Sequence, residues 1–109
     1  MYDTFRVAVL PSWPGSCRVT VTGDLDVVSA PDVRDTLRAA VSAHDRVDMD
    51  CGGLTFCDCS GLSALLAVAR EAKASGSELR LHAVPHSLAR LLRLTHTGSA
   101  FTIEQPGAP

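Results

Sequence analysis

Phe56-Cys57-Asp58-Cys59-Ser60-Gly61-Leu62 is the stretch where an apolar, extended approach turns into a helix. Downstream of it, Leu62, Leu65, Leu66 and Ala69 recur at helical spacing, so one face of this segment packs. Asp, Ser and Gly are common helix starters because their side chains or backbone freedom suit an N-cap. The same place also favours an anion, since unpaired backbone N–H groups and the positive end of the helix dipole meet there. A plain cap and an anion-handling site are both open readings of these residues.

Working outward, Arg46 to Asp50 reads as a short strand before this junction, with Gly52-Gly53 as a turn. The helix is expected to end near Ser75-Gly76, with Lys73 close to its C-terminus. Glu78 to Ala83 supplies another strand, in which Leu79 and Leu81 point one way. Pro85 opens a third helix with the stripe Leu88, Leu91 and Leu92, and Arg90 and Arg93 beside it, until Thr97-Gly98-Ser99 breaks it. Phe101 to Ile103 is a last strand before a Pro/Gly tail.

On the N-terminal side, residues 5 to 10 form a strand that ends at Pro11, followed by the turn formers 11 to 16. Cys17, Val19 and Val21 alternate with Arg18, Thr20 and Thr22, the period of a half-buried strand, so the first two strands should form a hairpin. Gly23 is expected to close the second strand. A helix over about 30 to 43 follows, with Pro31 and Asp32 near its start and Val33, Leu37, Ala40 and Val41 on its packed face. The order β β α β α β α β predicts an α/β fold: a mixed sheet with helices packed on it.

The chain has 109 residues, 46% hydrophobic and 20% charged, which suits one domain with an ordinary core. That core is expected over about 5–103, with 104–109 a flexible tail. A net charge of −2 leaves no basic field for nucleic acid. There is no apolar run of the ~20 residues that cross a bilayer, and the first residues do not read as a signal peptide, so a cytoplasmic location is expected. The four cysteines are expected to be reduced thiols, because a chain of this apolar content needs no staples. Cys17 and Cys51 read as small buried hydrophobes, and no disulfide is expected between Cys57 and Cys59.

Other chemistries fit the residues poorly. Cys51, Cys57, Cys59, His44 and His82 lack the paired Cys-x-x-Cys spacing of a zinc knuckle. His86 and His96 flank the third helix as surface or capping residues. Neither a GxxxxGK phosphate loop nor a Gly-x-Ser-x-Gly elbow occurs, and no cofactor is expected.

Gly23-Asp24-Leu25-Asp26 with Ala30-Pro31, then Asp58-Cys59-Ser60-Gly61-Leu62, then Thr97-Gly98 occur in an order and spacing that resembles the STAS domain of bacterial anti-sigma factor antagonists. In that family the first motif reads Gly-Glu-Leu-Asp and the second Phe-Ile-Asp-Ser-Ser/Thr-Gly-Leu. The likeness runs from about Phe5 to Ile103. It implies a single, mostly parallel sheet of about five strands and a binding protein without catalytic turnover: capture of an anti-sigma factor, often a serine kinase with a Bergerat-type ATP-binding fold, releases a sigma factor. A monomer is expected, and the resemblance implies a partner interface built from Asp24, Asp26, Asp58, Cys59, Ser60, Gly61 and Leu62.

The sequence departs from the family at the phosphoacceptor. The family's phosphoacceptor follows the motif Asp, and here that residue is Cys59; Ser60 occupies the next place. Three outcomes follow: phosphorylation at Ser60, binding without this switch, or a redox-sensitive switch at Cys59, whose thiolate a helix start favours. A thiol enzyme or redox sensor using Cys59 is the rival class, and a scaffold subunit of a stress-signalling complex is another. For Asp26, a partner contact and a turn-satisfying role stand level.

Overall fold

The computed structural model describes residues 5–104. Strands β1 (Arg6–Pro11) and β2 (Ser16–Leu25) form the expected antiparallel hairpin, with Pro11 opposite Cys17 and Arg6 opposite Thr22. Strands β3 (Arg46–Cys57), β4 (Glu78–His82) and β5 (Thr102–Glu104) continue the sheet in parallel, in the order β1-β2-β3-β4-β5. Between them run helices α1 (Ala30–Ala43), α2 (Cys59–Ala74) and α3 (His86–Thr95), and a short 3-10 turn, Gly98–Ala100, precedes β5. Glu104 closes β5; the flexible tail expected beyond it lies outside the described residues.

Two glycine readings need correction. Gly23 does not end β2, and Gly52-Gly53 is not a turn after a short strand: β2 and β3 stay paired as far as Leu25 opposite Cys57. What sequence periodicity reads as a break is a pair of register shifts. Thr20 and Thr22 face Asp50 and Gly53, and Gly23 and Asp24 face Leu54 and Phe56, so β3 twice carries an extra residue. Gly53 is needed there because a Cβ would collide with the Thr22 side chain, and Gly23 adopts φ +100. Each extra residue also inverts which face the next side chains occupy. Leu54 is thereby turned inward and Thr55 and Phe56 outward, before Cys57 returns to the core.

The sheet's two faces differ in chemistry. Cys17, Val19 and Val21 of β2, Val47, Met49 and Cys51 of β3, and Leu79 and Leu81 of β4 join Val33, Leu37, Leu65, Val68, Leu88 and Leu92 of the helices in one apolar cluster. The opposite face carries charge. Arg18 approaches Asp50 at 3.9 Å, Arg80 binds Glu78 at 3.0 Å and Glu104 at 3.1 Å, and Thr102 donates to Glu78 at 2.7 Å. Asp48 is the centre of this face, buried between Arg46 Nε at 3.1 Å and His82 Nε2 at 2.7 Å.

Burial by itself would raise the Asp48 carboxyl, but its hydrogen bonds to His82 and Arg46 prevail and hold it below the ordinary carboxylate value. Its stabilising contribution is therefore complete above the unfolded value of about 3.9 and is lost as pH falls through the lower folded value. Asp48→Asn should cost about 2–3 kcal/mol at pH 7, and its urea midpoint should fall less steeply than that of the wild type as the pH is taken from neutral to acid. Parallel pH profiles for the two proteins would contradict the assignment.

Candidate functional site

The site is assembled at the carboxyl ends of β2 and β3. Because Leu25 pairs with Cys57 and the Asp58 N–H donates to the Leu25 carbonyl at 3.2 Å, the turn after β2 and the start of α2 are held side by side. The two motifs that lie far apart in sequence thus form one surface.

Asp58 is the N-cap of α2: its Oδ1 accepts from the Gly61 N–H at 3.1 Å, and its carbonyl accepts from Leu62 at 3.0 Å. Cys59, the first helical residue, is exposed. Ser60 is half-buried. Gly61 sits directly on β2, where a Cβ would lie 2.6 Å from Leu25 Cγ and 2.7 Å from its carbonyl oxygen. Leu62 is only 3% exposed and belongs to the core. Gly61 and Leu62 are therefore seating residues, and of the second motif the surface is formed by Asp58, Cys59 and Ser60.

The first motif divides in the same way. Asp24 is exposed and its Oδ1 accepts from Thr55 Oγ1 at 2.6 Å, tying the end of β2 to β3. Asp26 is engaged within its turn: its Oδ1 accepts from the N–H groups of Val28 at 3.0 Å and Ser29 at 3.2 Å. Ser29 Oγ completes the knot by donating to the Asp24 carbonyl at 2.7 Å and accepting from the Asp26 N–H at 3.0 Å. The turn is thus shaped by Asp26 and Ser29, and what it lifts into solvent is apolar. Val27 is 69% and Val28 83% exposed, and Phe56 across the site is 47% exposed. The sequence pattern does not single out these valines; only an Asx turn followed by two branched aliphatics hints at them.

The cysteines fall into two kinds. Burial, with Asp50 nearby, pushes the Cys51 thiol up to about 12, and burial with Asp58 nearby pushes Cys57 up to about 11. Cys17 is also raised, by burial and the Asp48 charge. These three are buried, Cys59 is exposed, and all four are free. Cys51 lies inside β3. Among the described residues no three His, Cys, Asp or Glu side chains converge to hold a metal. His82 is occupied by Asp48, and His44 Nδ1 lies 3.0 Å from the Ala40 carbonyl. His96 caps α3 in a left-handed conformation, φ 57.

The profile of the family described as "Mlab, STAS domain" matches residues 10–99, and the chain belongs to the STAS domain family. An anti-sigma factor antagonist from Mycobacterium paratuberculosis superposes with a TM-score of 0.81 at 22% identity, over 95% of this chain and 87% of that one. The Bacillus cell fate determinant SpoIIAA in its phosphorylated form gives 0.75 at 16% identity, over 94% and 92%. A sulfate transporter family protein from Wolinella succinogenes shares the fold at 0.68 and 17% identity, over 90% and 82%. No described helix is long and apolar enough to cross a membrane.

Two substitutions test how the site is seated. Asp58→Ala should cost about 1 kcal/mol through loss of the cap, with Asp58→Asn or Asp58→Ser recovering most of it in urea denaturation. Gly61→Ala should cost more, about 1–3 kcal/mol, since α2 must move off Leu25 to admit the methyl group. A neutral Gly61→Ala would mean that α2 is not pinned to β2 as described.

Proposed function

We propose that this STAS domain is an anti-sigma factor antagonist, acting in the cytoplasm by binding an anti-sigma factor of the serine-kinase type and so freeing a sigma factor. It does this by binding alone, without turnover. The observation that carries this reading is the joint surface at the ends of β2 and β3, where the turn after β2 exposes Val27 and Val28, the end of β3 exposes Phe56 and the start of α2 exposes Cys59. Apolar side chains raised around a polar helix start are the composition of a protein-binding patch. The solved antagonists of the same fold support the assignment.

Cys59 stands where relatives carry the phosphoacceptor, so control by a phosphate at that residue is not part of the proposal. Ser60 is the hydroxyl nearest to it in the chain, and a phosphate there adds about −1.5 to −2 charge close to Asp58. A redox reading of Cys59 is less well supported, because the neighbouring Cys57 and Cys51 are buried thiols with strongly raised values and offer no ready resolving partner. A scaffold role would use the same surface with a different partner.

Capture with the tagged, reduced chain from lysate of its source cells, followed by mass spectrometry, should recover an ATP-binding anti-sigma factor. Against that partner, Ser60→Asp should weaken binding by about tenfold or more, and Cys59→Ser should yield a protein that the partner phosphorylates. Recovery of only redox proteins, or of a signalling scaffold without an anti-sigma factor, would overturn the proposal.

A further inference from the structure

Helices α1 and α2 lie against each other, and their facing residues can be followed turn by turn. Arg34 and Arg38 are one helical repeat apart on α1, as Ala67 and Glu71 are on α2. At the later level the match is complete: Arg38 Nε and Nη2 each donate to a Glu71 carboxylate oxygen at 2.8 Å. At the earlier level α2 presents Ala67 instead of an acid. The helices leave a groove of about 250 Å³ there, lined by Ala30, Arg34, Ser60, Ser63, Ala64 and Ala67, with Val27 at its rim.

Arg34 is the only ionisable side chain in that lining. Its Nε is shut off from water and has no hydrogen-bond partner, and it is the only side-chain nitrogen or oxygen in that condition among the described residues. The acid with which it forms an ion pair, Asp35, is the next residue of its own helix and lies 3.8 Å from Nε, beyond hydrogen-bond reach. The side chain as a whole is 42% exposed. A carboxylate brought to the exposed part of this side chain forms a charge-assisted pair with it.

We infer that this groove receives a segment of a partner polypeptide in which an Asp or Glu side chain pairs with Arg34 and an adjacent aliphatic side chain lies on Ala30, Ala64 and Ala67. The inference deepens the protein-binding function proposed above and rests on it. It places a charge-selecting residue on α1, outside both loop motifs. Ser60 and Val27 belong to the groove and to the loop surface alike, so the groove extends that surface without a break. The charge order is also specific: the groove is cationic at Arg34, whereas the adjoining loops carry Asp24 and Asp58.

Panning a phage-displayed library of short random peptides against the full chain tests this without any anti-sigma factor. The selected peptides should share an acidic residue next to Leu, Ile or Val. A synthetic peptide of that sequence should lose about ten- to a hundredfold in affinity when its acid is replaced by the amide, or when the protein carries Arg34→Gln, with Arg34→Lys intermediate. Ala67→Glu, which supplies the missing acid from α2 itself, should also abolish peptide binding while leaving the thermal midpoint no lower than that of the wild type. Selection of peptides without acids, no selection at all, or affinity unchanged by Arg34→Gln would overturn the inference. Such a result leaves capture of an anti-sigma factor standing, and failed capture with Arg34-dependent peptide binding would instead reject the choice of partner.

Discussion

The pairing of β2 with β3 through two register shifts is the constraint on which the rest depends. Without the extra residues of β3, the strands would lose step before Leu25 and Cys57, and Leu54 would point away from the core. Gly53 permits this by leaving room for Thr22, and Gly23 by its positive φ. The consequence reaches the surface. Asp58 binds the Leu25 carbonyl only because the strands remain paired that far, and that hydrogen bond sets the start of α2 beside the turn after β2.

The two-faced sheet explains how so small a domain can hold this arrangement. Apolar side chains from β2, β3 and β4 form one cluster with all three helices, and the opposite face is satisfied by ion pairs and hydrogen bonds among its own strands. Exposed pairs of this kind contribute little individually. Asp48 is different, because it is buried and accepts from two strands at once, so it ties β3 to β4 at the centre of the polar face.

The functional surface combines rigid and presented parts. Asp26, Ser29, Asp58, Gly61 and Leu62 use their hydrogen bonds or their burial to fix backbone, and Val27, Val28, Phe56, Cys59 and Ser60 are what that backbone presents. The motif residues that mark the family are thus largely the supports of the site. In the proposed binding role, contact with a partner falls to the presented side chains, Cys59 and Arg34 among them; Arg34 faces an alanine where Arg38, one turn on, faces a glutamate.

Much of this was legible in the sequence. The order of elements, the span of α1, the packed stripes of α1 and α2, and the helix start at Asp58 follow from periodicity and capping, which are properties of a segment taken alone. The length of β3, the inward turn of Leu54, the burial of Asp48 beside His82 and the unmatched Arg34 follow from register between segments. Glycines in a bulge and glycines in a turn read alike along one strand, and an arginine on a helix face shows nothing of the residue opposite. Local pattern therefore determined which elements form and where the helix start lies, while tertiary structure alone decided which side chains meet, because contacts between elements depend on how each strand and helix is aligned with its neighbour.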